Sequence, residues 1–153
     1  IMSTTGRRSV GPQHPRLIPT LIASRGPERD AYVRGSLAVW KLIGSPRFPQ
    51  TDAKLTKRAG DTYDRGVSRS GVLRQMMAVL TQPDRTRRLA ELSVPTLVMH
   101  GLADRMVHVS GGRATAAAVP GARLVLIHGW GHDLPPALFA RFAAEIRRNA
   151  ARA

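Results

Sequence analysis

VPTLVMHGLADRMV (residues 94–107) and GARLVLIHGWGHDLPP (residues 121–136) carry the architectural information in this chain. In each, a short aliphatic and β-branched run ends at a glycine: Pro95 to His100 before Gly101, and Arg123 to His128 before Gly129. Runs of this length without alternation read as buried parallel strands. Between them, Ser110 to Ala118 has helical composition, with Ser110 placed to cap it, and Pro120-Gly121 turns the chain. After the second run, Asp133 and Pro135-Pro136 open a further helix, whose apolar face holds Leu138, Phe139, Phe142 and Ile146. Strand, helix, strand, helix in that order predicts a right-handed parallel crossover and an α/β class. Two strands are fewer than an independent sheet covered on both faces requires.

Reactive side chains in open α/β sheets stand in the loops at the carboxyl ends of the strands. The first such loop contains Asp104, with Met106 and Val107 after it; the second is Gly129-Trp130-Gly131-His132-Asp133. Neighbouring strands lie about 4.8 Å apart, so Asp104 and His132 can meet above the sheet edge. A carboxylate in that place holds an imidazole in one tautomer and stabilises the imidazolium formed in catalysis. Met106, Val107 and Trp130 flank the pair and are candidates for lining a substrate pocket. His128 and His132 stand four apart, but Gly129-Trp130-Gly131 between them argues against a helical metal-binding face, so no metal is expected.

Upstream of Val94 the texture changes. Residues 13–92 are polar, rich in Arg, and broken by Pro and Gly, with apolar residues at helical spacing. Tyr32 to Ile43 predicts one helix, stopped by Gly44-Ser45-Pro46. Leu55, Ala59 and Tyr63 after Asp52 predict a second, and Val72 to Leu80 a third. This is a helical module, followed by an α/β unit over residues 93–153.

The chain has 153 residues, 24 Lys and Arg against 10 Asp and Glu, and no Cys. One domain of this length buries about 68–70% of its unfolded surface. Disulfides, cysteine-ligated metals and a thiol nucleophile are excluded. No apolar run approaches the roughly 18 residues of a membrane span, and residues 1–30 lack the order of a signal peptide, so a soluble cytoplasmic protein is expected. The formal charge of +14 is spread along the chain, and Arg supplies most of the positive side chains. An interleaved pattern of this kind is a solvated surface, whereas a polyanion or nucleic-acid binder clusters its charge on one face. A basic binding module is the rival reading; it predicts affinity for polyanions with a steep salt dependence.

The two quoted stretches, taken with the helix between them, resemble the last third of the α/β-hydrolase fold. The STTG opening and the GHDLPP ending are most similar to esterases related to aclacinomycin methylesterase. The resemblance implies a partial α/β-hydrolase fold: residues 1–12 as the end of strand six and the entry to a lid, 13–92 as the helical lid, and 93–153 as the C-terminal core. It also implies Asp104 as the triad acid, His132 as the general base, a small-molecule carboxylic ester as substrate, and no cofactor. The same fold also supports haloperoxidase and lactonase chemistry.

The chain departs from that pattern at the nucleophile. The fold presents Ser in a G-x-S-x-G elbow between strand and helix, placed before the acid. None of the nine serines has glycine at both positions two away; GVSRSG, from Gly66 to Gly71, comes nearest but follows TYDR rather than a strand and reads as a lid turn. The expectation is a C-terminal half whose N-terminal partner carries the elbow and the oxyanion loop, and which shows no triad hydrolysis alone.

Overall fold

The computed structural model describes residues 5–6, 11–12, 14–17, 19 and 28–152. The expected end of strand six, at Ile1-Met2-Ser3, lies outside the described residues, as do Ser9 and Ser24. After a 3₁₀ turn at Pro15–Leu17, the helical module comprises α1 (Arg29–Ile43), α2 (Asp52–Asp64), α3 (Arg69–Thr81) and the short α4 (Thr86–Ala90). The α/β unit follows as β1 (Leu97–Gly101), α5 (Val109–Ala118), β2 (Arg123–Ile127), a 3₁₀ turn at Pro136–Leu138 and α6 (Phe139–Ala150).

Local hydrogen bonds close an end of each of α1, α2 and α3. Glu28 stands at the N-cap of α1 with no hydrogen bond from its side chain, and the amide of Gly44 closes the C-terminus onto the Trp40 carbonyl. Thr51 caps α2 by accepting from the Lys54 amide, and Ser68, in the GVSRSG turn, caps α3 by accepting from Gly71. Helices α1 and α2 pack together; the Arg29 guanidinium grips the Asp64 carboxylate at 2.8 and 2.9 Å, and Arg58 lies over the Trp40 ring. By contrast, Val72, Leu73, Met76 and Met77 of α3 are exposed.

The two strands pair in parallel, with Leu97 opposite Arg123 and Gly101 opposite Ile127. The sequence expectation of buried strands is met only at their ends. Leu97 to Met99 are half-buried, whereas His100, Gly101 and Ile127 are buried, because each strand of a two-stranded sheet keeps an open edge. Ile127, Trp130, Leu138 and Phe142 form one core cluster, and Leu17, Val39 and Ile43 a second beneath α1. Burying a side chain of this size stabilises the fold by about 1.5–3 kcal/mol. The final helix differs from its expected face: Phe142 is buried, but Phe139 and Ile146 are exposed, since so narrow a sheet covers only part of the apolar stripe. The caps differ too. His108, not Ser110, caps α5, and Asp133 points away from the last helix, which starts only at Phe139.

One ion pair fastens α6 to the sheet. The Arg123 guanidinium donates to Glu145 at 2.5 Å and holds its carboxyl below the ordinary range; burial opposes this, and the charges of Arg148, Arg123 and Arg141 reinforce it. A depressed carboxyl contributes stability above its unfolded value that is lost as pH falls through the folded one. Glu145→Gln is therefore expected to flatten the fall in melting temperature between about pH 5 and pH 3. An unchanged slope in thermal melts across that interval would remove the role given to the pair.

Candidate active site

The acid loop turns directly off β1. The Asp104 amide donates to the Gly101 carbonyl at 3.2 Å, closing a turn at the strand end. Asp104 Oδ1 then accepts from the backbone amides of Met106 and Val107 at 2.8 and 2.9 Å, which fixes the carboxylate and leaves Oδ2 facing the neighbouring loop. His100, at the end of β1, braces the loop from beneath. Its Nε2 donates to the Val107 carbonyl at 2.9 Å, and its ring rests on Gly112 of α5, where a Cβ would stand 2.6 Å from Nδ1.

The histidine loop turns off β2 through Gly129, whose φ of +72° favours glycine. The two loops are bonded to each other: Leu102 donates to the Ile127 carbonyl, and Ala103 to that of Trp130, both at 3.0 Å. This register places His132 Nδ1 2.9 Å from Asp104 Oδ2. A carboxylate only accepts, so Nδ1 carries the proton, and in the neutral imidazole Nε2 then presents its lone pair. Among the described residues nothing hydrogen-bonds Nε2. The Asp104 side chain is 6% exposed and that of His132 18%: a buried acid behind a partly accessible base. Such a pair can accept a proton at Nε2 while the carboxylate stabilises the resulting imidazolium.

A cleft of about 700 Å³ opens between the helical module and the acid loop, with Trp40, Gln50, Leu55, Leu102, Asp104 and Asp133 on its walls. The three flanking residues read from the sequence sit elsewhere. Trp130 is 5% exposed, stacks at 4.8 Å against Phe142, and donates from Nε1 to the Asp133 carbonyl, so it builds the base of the loop. Met106 packs against the cluster beneath α1, and Val107 spends its amide and carbonyl on Asp104 and His100. Sequence reasoning missed a polar cluster beside the pair. Asp133 accepts from Ser45 Oγ at 2.5 Å and from Gln50 Nε2 at 2.7 Å. Adjacent identity, Asp after His, was the only signal available for it.

Solved structures of other proteins overlay almost the whole chain. The esterase RhEst1 from Rhodococcus sp. ECU1013 superposes with a TM-score of 0.58 at 20% identity, covering 95% of this chain and 47% of that one. Est816, an N-acyl homoserine lactone degrading enzyme, superposes with a TM-score of 0.61 at 18% identity, covering 95% and 54%. The chain carries a partial α/β-hydrolase fold. Within that fold, β1 and β2 stand as neighbouring parallel strands, each ending in a loop that contributes one member of the pair.

Sequence comparison adds esterases to this hydrolase fold. A pimeloyl-[acyl-carrier protein] methyl ester esterase of Xanthomonas oryzae pv. oryzae (strain MAFF 311018) is 37% identical over 112 residues, 73% of this chain and 44% of the relative. The chain thus spans less than half the length of that relative. No family model matches the chain. Among the described residues, no helix is long and apolar enough to cross a membrane, and no three His, Asp or Glu side chains gather as metal ligands would.

Proposed function

We propose that this α/β-hydrolase chain supplies the acid and the base of a serine-type carboxylic ester hydrolase. The observation that carries the reading is the 2.9 Å contact between Asp104 Oδ2 and His132 Nδ1, with no hydrogen bond to Nε2 among the described residues and with Asp104 on the wall of a cleft. The nucleophile comes from a segment outside these 153 residues, since no serine here stands in a G-x-S-x-G elbow. In the assembled enzyme, Nε2 of His132 takes the proton of that serine as its oxygen attacks the ester carbonyl. The imidazolium, held by Asp104, then returns the proton to the departing alcohol. Water, deprotonated by the same nitrogen, attacks the acyl-enzyme and releases the carboxylic acid. The lid helices and the acid loop frame the cleft in which the ester lies.

The Xanthomonas relatives are named for a methyl ester of an acyl chain, so methyl esters head the substrate series. The test compares methyl and p-nitrophenyl esters of graded acyl length with a lactone series, in two preparations. One is the 153-residue chain; the other is the chain joined to a segment that carries the serine elbow. Hydrolysis of open-chain esters by the second preparation alone is expected. Turnover by the chain alone that survives His132→Ala would overturn the reading, and a preference for lactones would move it to lactonase chemistry. Tight, salt-sensitive binding of a polyanion by the chain would favour the basic binding module instead.

A further inference from the structure

A buried carboxylate stands immediately beside the proposed base, and the reaction outlined above does not use it. Asp133 is 5% exposed, and both its oxygens are taken by side chains from the lid: Oδ1 by the Ser45 hydroxyl at 2.5 Å and Oδ2 by the Gln50 amide at 2.7 Å. The same Ser45 oxygen accepts from the Gly131 amide at 2.9 Å. One hydroxyl therefore binds the residues on either side of His132. The His132 amide donates to the Ile43 carbonyl at 2.8 Å, and the Arg47 amide to that of Gly129 at 3.2 Å. Backbone approaches backbone so closely here that a Cβ on Gly131 would lie 2.4 Å from the Gly44 oxygen.

We propose that Ser45, Gln50 and Asp133 form a latch between the lid and the histidine loop that positions the His132 ring against Asp104. The proposal deepens the hydrolase reading, resting on His132 as its base, and makes the three latch residues positioning residues. The physical argument is one of constraint. The Asp104–His132 contact fixes one ring nitrogen, but the ring's direction depends on where the backbone of residues 131–133 is held. Within the loop Trp130 Nε1 braces the Asp133 carbonyl, but the partners of the Gly131 amide, the His132 amide and the Asp133 carboxylate all come from residues 43–50. A buried carboxylate is costly unless it is hydrogen-bonded, so the two donors keep the lid end docked as well as the loop. The consequence is that movement of the lid away from the core releases the base.

The test reads the tautomer of His132 in the 153-residue chain and so needs no nucleophile. In ¹⁵N-histidine-labelled protein at alkaline pH, long-range ¹H–¹⁵N spectra distinguish a protonated Nδ1 from a bare Nε2, and His132→Ala assigns the signals. The chain is expected to show His132 as a single Nδ1-protonated tautomer. In Asp133→Ala, with helix content by circular dichroism unchanged, the two nitrogens should converge toward the average of exchanging tautomers. Gln50→Glu alone should do the same, because two carboxylates then face each other. Gln50→Glu combined with Asp133→Asn exchanges donor for acceptor and should restore the single tautomer. A fixed tautomer in Asp133→Ala, or no restoration in the exchanged pair, would overturn the latch. If Asp133→Ala does not fold, Ser45→Ala decides in the same way. A failed hydrolase reading looks different: a fixed, latch-dependent tautomer in a protein whose assembled form turns over no ester.

Discussion

Replacing His132 by alanine is expected to lower kcat for ester hydrolysis by about 10⁴–10⁶-fold in the enzyme that carries both this chain and the serine elbow. The expectation follows from the geometry at Nε2. His132 Nε2 belongs to an imidazole held at Nδ1 by a carboxylate, and without it the serine loses its proton acceptor and the alcohol its proton donor. Asp104→Asn should cost about 10⁴-fold, because an amide in that place can donate to Nδ1 and so select the wrong tautomer. Its KM should change little, since Asp104 Oδ1 is occupied by the amides of Met106 and Val107 and the loop keeps its shape. Steady-state rates on one ester for the two variants decide this. A loss below about tenfold in either would deny the pair a part in the chemical step.

The second large effect is on stability. Gly101→Ala would place a Cβ 2.1 Å from the Trp130 carbonyl oxygen and 2.6 Å from its carbon, at the point where the acid and histidine loops cross. Both opposing atoms are backbone, so no side chain can swing aside. Overpacking of a core position costs about 1–3 kcal/mol, and an obstruction made only of backbone belongs above that range, at about 3 kcal/mol or more. Urea denaturation of the variant against the parent chain measures it. The same crossing sets the distance between Asp104 and His132, so any folded variant should also lose the Nδ1 contact. A loss below about 1 kcal/mol would mean that the two loops do not approach as closely as described.

How much of this was legible in the sequence depends on the range of the interactions involved. Both strands and the loops after them follow from local pattern, since an aliphatic run ended by glycine needs no distant partner to be read. The pairing of Asp104 with His132 could be anticipated from strand order, because parallel neighbours bring their loop residues together. The first three helices of the helical module were readable from spacing, but α4 is a single short turn with no periodic signal. The latch was not legible. Ser45 and Gln50 lie 88 and 83 residues from Asp133, and their meeting depends on how α1 docks against the histidine loop. The same limit explains Trp130: beside a candidate base an aromatic reads as a pocket wall, yet the packing of Phe142 against it is decided by α6. Phe139 and Ile146 show the converse, a correct helical stripe whose burial depends on how much sheet there is to cover it.

The most direct test of the central claim is whether Asp104 and His132 act as one unit. Residues that share a single chemical step are strongly non-additive: once the base is gone, the acid has nothing to orient. Rates of ester hydrolysis would be measured for the assembled enzyme carrying His132→Ala, Asp104→Asn and both together. The account predicts that the double variant is no slower than His132→Ala alone. Losses that multiply, or a His132→Ala enzyme that hydrolyses esters at the parent rate, would contradict it.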